Sequence, residues 1–143
     1  MNEVMSYETE QILKGYICPY CKNKTRMVDS IRIYKKKSYG LVSMCIPCNA
    51  YVGVHKDTNI PLGRVAKKDL REIRKCTHSY FDIIWKHGYM DRSDAYKWLS
   101  KELNTPFEFT HIAMFSKVTC EKVTNISIKL INHLNNLGIY GDK

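Results

Sequence analysis

Apolar side chains recur at three- and four-residue steps through the second half of the chain. Between residues 66 and 87 they form one stripe along a predicted helix, made of Leu70, Ile73, Thr77, Tyr80, Phe81 and Ile84. Side chains at this spacing share one face of an α-helix. Basic residues fall mainly off the stripe, and Gly88 is a natural end for the helix. The segment therefore predicts an amphipathic helix that buries this stripe.

Two further helices are predicted downstream. The second spans residues 92–103, with Asp91 as its N-cap and Pro106 beyond its end. The third begins near Ser116 and ends before Gly138. Its predicted buried face consists of Val123, Ile126, Leu130, Leu134 and Leu137.

Shorter apolar runs in the first half suit β-strands. Residues 27–34, 41–44 and 50–55 are rich in Val, Ile, Met and Tyr, which favour pleated strands. A polar segment closed by Gly40 separates the first two runs and predicts a hairpin turn. Ahead of them, residues 1–13 suit either a short helix or a loose arm, and Gly15 ends this segment.

Two Cys-x-x-Cys motifs flank the predicted hairpin. Cys18 and Cys21 form the first, and Cys45 and Cys48 form the second. Four thiolates at this spacing can close a tetrahedral site around one structural Zn²⁺, as in a zinc ribbon. Disulfides or inert buried thiols are the alternative, although two intervening residues suit a metal better than a disulfide. The remaining pair, Cys76 and Cys120, are expected to be core thiols.

Together these elements predict an α+β fold. An N-terminal zinc β-ribbon of three short antiparallel strands, residues 1–60, would pack on a three-helix unit, residues 61–143. The connecting loop, residues 56–63, carries Asp, Asn, Pro and Gly. A ribbon of this size has too little apolar area for a core, so we expect metal to supply much of its folding free energy.

The chain is basic, with a net charge of +9 and a pI of about 9.3. Eight cations and a single anion, Asp29, lie between Lys14 and Lys37. A focused positive surface attracts nucleic acid, DNA or RNA, although lysines also simply keep a protein soluble. The candidate nucleic-acid contacts are Lys22, Lys24, Arg26, Arg32, Tyr34, Lys35, Lys36, Lys37 and Tyr39.

In this hypothesis, lysines neutralise phosphates while Tyr34 and Tyr39 stack on unpaired bases. Arg32 and Tyr34 would share one face of the first strand, opposite Ile31 and Ile33. The alternative is that the two tyrosines pack as a small ribbon core and that the lysines form a solvated turn.

A set of short motifs lies along most of the chain: residues 18–21, 38–41, 45–48, 50–55, 61–63, 95–99 and 111–115, with His78, Asp82, Trp85 and Cys120. Together they resemble a family of phage and prophage proteins known as the zinc-finger-containing domain, whose function is uncharacterised. The resemblance covers roughly residues 16–125. Ala113 stands where this family's pattern has glycine. The resemblance implies zinc, a phage-like origin and a single compact unit, and it supplies no activity.

Two other functions are open. One is a protein-interaction module that modulates a host enzyme, with Tyr39, Tyr89, Phe107 and Phe109 as exposed anchors. The other is a metal-dependent hydrolase that uses His55, His78, Asp82 and His111, all of which belong to the family pattern. The sequence shows no glycine-rich phosphate loop, nucleophile elbow or catalytic acidic pair.

The expected location is the cytosol, of a host cell if a phage encodes the protein. No secretory leader pattern is visible at the start of the sequence. Reduced thiols in the cytosol bind metal rather than one another. No apolar run approaches the length of a membrane helix, so we expect no membrane partner.

Overall fold

The computed structural model describes residues 5–141, in two compact units, one ending at Asp69 and the other beginning at Leu70. The first unit contains a three-stranded antiparallel sheet and two helices. Its elements are α1 (Tyr7–Lys14), β1 (Arg26–Asp29), α2 (Ile31–Tyr34), β2 (Leu41–Cys45) and β3 (Ala50–Gly53). The predicted α+β class and the early helix before Gly15 are confirmed, although residues 1–4 of that prediction lie outside the described part.

The second unit is helical. Single 3-10 turns at Phe107–Phe109 and Ile112–Met114, which the sequence analysis did not predict, connect its last two helices. The first helix begins two residues before the unit boundary. The four helices are α3 (Lys68–Phe81), α4 (Ile83–Lys86), α5 (Arg92–Leu103) and α6 (Lys117–Asn136). Between residues 5 and 141, no helix is both long and apolar enough to cross a membrane.

The strand order in the sheet is β1-β2-β3. We call the end of the sheet beside the Cys-x-x-Cys motifs the knuckle end and the opposite end the loop end. At the knuckle end, Cys45 pairs with Ala50 at the edge of the second Cys-x-x-Cys motif. At the loop end, Asp29 pairs with Leu41, and two loops leave the sheet. These ends lie about 13 Å apart, the length of a five-residue strand.

The prediction of a strand over residues 27–34 is wrong beyond Asp29. There the Asp29 carboxylate accepts the backbone N–H of Ile31 at 2.8 Å, and the Ser30 carbonyl accepts the N–H of Tyr34 at 3.0 Å. Asp side chains offer the backbone local bonds of the first kind, which compete with strand pairing. The chain therefore turns into α2, and Ile31 is exposed instead of facing a core.

A buried network holds α1 against the sheet through Gly15. The carbonyl of Gly15 accepts the hydroxyls of Ser43, at 2.7 Å, and Thr25, at 2.8 Å. Gly15 has φ of +88°, a left-handed conformation that ends α1. A Cβ at this position would collide with the Gly63 carbonyl oxygen and the Pro61 ring. The predicted helix end is thus also a tight packing point.

The core of the second unit contains Phe81, Ile84, Leu99 and Val123, each fully buried. The rings of Phe81 and Tyr96 meet edge to face, with centroids 4.9 Å apart. Buried hydroxyls join α3 to α6, where Thr77 donates to the carbonyl of Cys120 at 3.2 Å.

Three details of the helix predictions are wrong. The helix predicted over residues 66–87 is divided at Asp82 into α3 and α4. Tyr80 is 39% exposed, whereas Arg74, expected off the buried stripe, is only 8% exposed. Leu137 lies beyond the end of α6 and is 62% exposed. The predicted N-cap position of Asp91 is confirmed, although its side chain makes no capping hydrogen bond.

We predict that Gly15→Ala lowers the free energy of unfolding of the first unit by about 3 kcal/mol, because left-handed backbone and collision costs add. Native-state amide exchange of the sheet in the zinc-loaded protein measures the change. Gly40→Ala is the control, since Gly40 also has positive φ, +102°, but open space around it. An equal effect of the two substitutions would contradict the packing argument.

Candidate functional site

The structure brings the four predicted cysteine ligands together. The Sγ atoms of Cys18, Cys21, Cys45 and Cys48 all lie within 4.8 Å of one another, and those of Cys21 and Cys45 are 3.6 Å apart. Zinc bound tetrahedrally at about 2.3 Å from each sulfur requires sulfur–sulfur distances of about 3.8 Å. The donor set and its spacing therefore fit one Zn²⁺, and all six cysteines are free of disulfides.

Each Cys-x-x-Cys motif forms a tight backbone turn. In the first, the N–H of Lys22 donates to the Cys18 carbonyl at 2.8 Å, and in the second, the N–H of Asn49 donates to the Ile46 carbonyl at 3.2 Å. Lys22 and Asn49 both have left-handed backbones, with φ of 66° and 52°. In both motifs a left-handed residue directly follows the second cysteine, and the two turns present both cysteine pairs to one point.

The sulfur cluster is also the core of the first unit. Cys18 and Cys45 are buried among Ala50, Val52 and Val65. Burial raises the pKa of Cys45 to about 12, whereas a backbone hydrogen bond from Asn23 lowers the pKa of Cys21 to about 7. A divalent cation bound beside the buried Cys45 sulfur would therefore favour its thiolate form.

Four protein ligands fill a tetrahedral shell and leave no position for water or substrate. The geometry is that of a structural zinc, which stabilises the fold. The two remaining cysteines differ from each other: Cys120 is buried as predicted, but Cys76 is exposed, so its assignment to the core is wrong.

The candidate nucleic-acid contacts fall at two ends of the sheet. Lys22, Lys24 and Arg26 lie at the knuckle end, where Arg26 pairs with Met44. The others lie in the loop-end hairpin, residues 30–40: Arg32, Tyr34, Lys35, Lys36, Lys37 and Tyr39. The structure therefore brings together six of the nine residues in one loop.

The two tyrosines of this hairpin are exposed rather than packed as a ribbon core. Tyr34 is 51% exposed and Tyr39 is 69% exposed, and their rings meet edge to face with centroids 5.2 Å apart. The ammonium of Lys37 lies 5.4 Å from the centroid of the Tyr39 ring. Aromatic faces and cations are thus adjacent on the solvent side of the hairpin.

Hydrogen bonds hold the hairpin in this conformation. The N–H of Tyr39 donates to the buried hydroxyl of Ser30 at 2.6 Å, and the N–H of Ser30 donates to the Gly40 carbonyl at 2.8 Å. Hydrogen bonds from the Ser38 side chain and the Ile31 backbone lower the pKa of Asp29. Asp29 is therefore ionised near neutral pH, and its charge is satisfied within the hairpin.

A groove of about 480 Å³ lies beside this hairpin. Tyr34 and Tyr39 form one wall, and His55 and Lys56, from the loop after β3, line the other. No sequence motif groups these residues. They meet because the register places the end of β3 beside the start of β2, and no local motif signals that pairing.

The proposed histidine site is not assembled as a metal centre in the described residues. In residues 5–141, the cysteine quartet is the only group of three or more potential ligands positioned for a metal. His78 Nδ1 and the indole N–H of Trp85 instead bond the Asp82 carboxylate, at 3.2 and 3.1 Å. The ring of His111 lies 6.2 Å from that of Tyr96.

The aromatic anchors of the protein-interaction hypothesis are only partly exposed. Phe107 is 52% exposed, as expected, but Phe109 is only 9% exposed, so its role as a surface anchor is wrong. Tyr89 is partly buried, and its hydroxyl donates to the Asn135 side chain at 2.8 Å. Tyr39 is exposed and is shared with the nucleic-acid hypothesis.

We predict that Cys48→Ser abolishes stoichiometric zinc binding and unfolds the first unit, because its core is the metal cluster. Elemental analysis and thiolate-to-cobalt absorption after Co²⁺ substitution measure the site, and amide exchange measures the unfolding. Cys76→Ser, an exposed cysteine outside the cluster, is the control and retains the metal. A chelator should reproduce the effect of Cys48→Ser. Full protection of the sheet amides without metal would contradict the structural role of zinc.

A comparison with protein-family models adds an independent finding. Residues 14–130 match the model of a family described as a zinc-finger-containing domain. No curated protein and no solved structure matched the chain. The matched region contains both cysteine motifs, the sheet and most of the helical unit. With its quartet of clustered cysteines and a family match over most of its length, the chain belongs to the zinc-finger-containing domain family and is a zinc-binding protein.

Proposed function

We propose that this protein is a nucleic-acid-binding module of phage type, in which zinc folds the first unit and the loop-end hairpin contacts the phosphate backbone. The observation that carries the proposal is the hairpin surface. Lys35, Lys36 and Lys37 are consecutive and exposed, beside two exposed tyrosines. Lysines supply the electrostatic part of nucleic-acid binding, and exposed aromatic rings supply stacking.

The charge of the whole chain supports the same proposal. A net charge of +9 favours association with a polyanion over association with another basic surface. Asp29, the only acidic residue between Lys14 and Lys37, is engaged within the hairpin. Its carboxylate is therefore held by hydrogen bonds from the Ile31 backbone and the Ser38 side chain, and neither bond involves a lysine.

The zinc site supports a binding role rather than a catalytic one. Its four sulfur ligands leave no coordination position for a substrate. The proposal includes a cytosolic location, in a host cell if a phage encodes the chain, where thiols stay reduced.

We predict that Lys35→Gln, Lys36→Gln and Lys37→Gln together weaken oligonucleotide binding on the order of tenfold at low salt. Three fewer phosphate contacts should also reduce the slope of log K against log salt by about 2 for a single strand. Fluorescence anisotropy with labelled DNA and RNA, titrated at several salt concentrations, measures both quantities.

The control places the same charge change elsewhere. The control variant replaces three exposed lysines of α5 and α6 and so removes the same charge as the hairpin variant. Its substitutions are Lys97→Gln, Lys101→Gln and Lys122→Gln. We expect this variant to bind nearly as tightly as the unmodified protein. Equal weakening of the two variants would show a general charge effect, and the absence of binding by the unmodified protein would overturn the proposal.

A further inference from the structure

The groove at the loop end has the size and position of a ligand site. Its volume of about 480 Å³ lies within the roughly 300–1,000 Å³ typical of small-molecule sites. Its floor is formed where Val42 pairs with Gly53, at the end of the sheet away from the cysteines.

Both walls of the groove are braced by hydrogen bonds. On the hairpin side, Ser30 fixes the backbone of Tyr39. On the opposite side, the hydroxyl of Thr58 donates to the His55 carbonyl at 2.8 Å and accepts the N–H of Ile60 at 3.0 Å. The N–H of His55 also donates to the Ile60 carbonyl at 2.8 Å. The walls are therefore preorganised, which reduces the entropy cost of binding a ligand.

The lining chemistry suits a flat, polar-edged ring attached to an anion. Tyr34 and Tyr39 offer aromatic surface, while Lys56 lines the opposite wall. The carboxylate of Asp57 and the imidazole of His55 also line the groove and can hydrogen-bond the edge of a base. The ammonium of Lys37 lies 5.4 Å from the centroid of the Tyr39 ring, so a cation also borders this aromatic surface.

We propose that this groove accepts an unpaired nucleobase, so that the protein selects single-stranded nucleic acid over duplex. This inference rests on the proposed function. A base inside a duplex is stacked on both faces and cannot lie against a tyrosine ring. An unpaired base can enter the groove while lysines contact the adjoining phosphates. The groove thus adds selectivity to the lysine contacts, which alone would hold a single strand or a duplex.

The test compares a single strand with a duplex of the same sequence and length, as DNA and as RNA. We expect the unmodified protein to bind the single strand at least tenfold more tightly. Tyr39→Leu should reduce single-strand affinity about tenfold, the effect of losing one stacked base, and should leave duplex affinity unchanged. Tyr39→Phe retains the ring and should keep most of the affinity.

Two controls isolate the groove. Tyr7→Leu removes a tyrosine of α1 that is 74% exposed, and it should have no effect on affinity. A strand of abasic nucleotides keeps the phosphates without the bases, and with it Tyr39→Leu should bind as well as the unmodified protein. Cobalt absorption of each variant verifies that the sulfur site is folded.

The outcomes separate this inference from the proposed function. Equal affinity for single strand and duplex overturns the groove assignment, as does a Tyr39→Phe loss as large as that of Tyr39→Leu. In either case, weakening by the three lysine substitutions would leave nucleic-acid binding itself intact. If no nucleic acid binds the unmodified protein, both proposals fail together.

Discussion

The convergence of four sulfurs on one point is the constraint on which the first unit depends. Its fully buried side chains around the cysteines are small, chiefly Ala50 and Val65, and they bury too little apolar area to offset the entropy of ordering the chain. Zinc supplies the missing free energy through bonds to thiolates that the sequence places in two matching turns. The metal is therefore the centre of the core, and the sheet is built outward from it.

The two ends of the sheet in the first unit carry different groups. The knuckle end is occupied by the metal and its backbone turns, and the loop end carries two braced loops with exposed rings and cations. β2 connects them, since Cys45 is its last residue and Leu41, at its start, lines the groove. A short rigid strand can thus transmit the order imposed by the metal to loops that contain no ligand. The helical unit has a core of its own around Phe81 and Val123 and does not require zinc for its packing.

Features governed by local signals were predictable from the sequence. The Cys-x-x-Cys spacing identified all four ligands, and α5 has the predicted bounds because a capping residue type precedes it and Pro106 follows it. Propensity favoured a strand through Tyr34, but local hydrogen bonds at Asp29 and Ser30 turn the chain into α2. The other errors arose where contacts remote in sequence decide. Arg74 is buried and Tyr80 exposed because of the path that α3 takes past α6. The groove depends on the pairing register of β2 and β3, which no short motif encodes.

The left-handed backbone of Lys22 has an electrostatic consequence. Asparagine tolerates that conformation comparatively well, as at Asn49, whereas lysine in the same role carries a strain cost of roughly 1 kcal/mol. Lysine at this position places a positive charge beside the metal centre, which carries a net charge of −2 when one Zn²⁺ is bound by four thiolates. Metal loading therefore partly cancels the field of the neighbouring Lys22, Lys24 and Arg26. In the zinc-bound first unit, the positive potential is consequently stronger at the loop end of the sheet, which carries the tyrosines, than at the knuckle end.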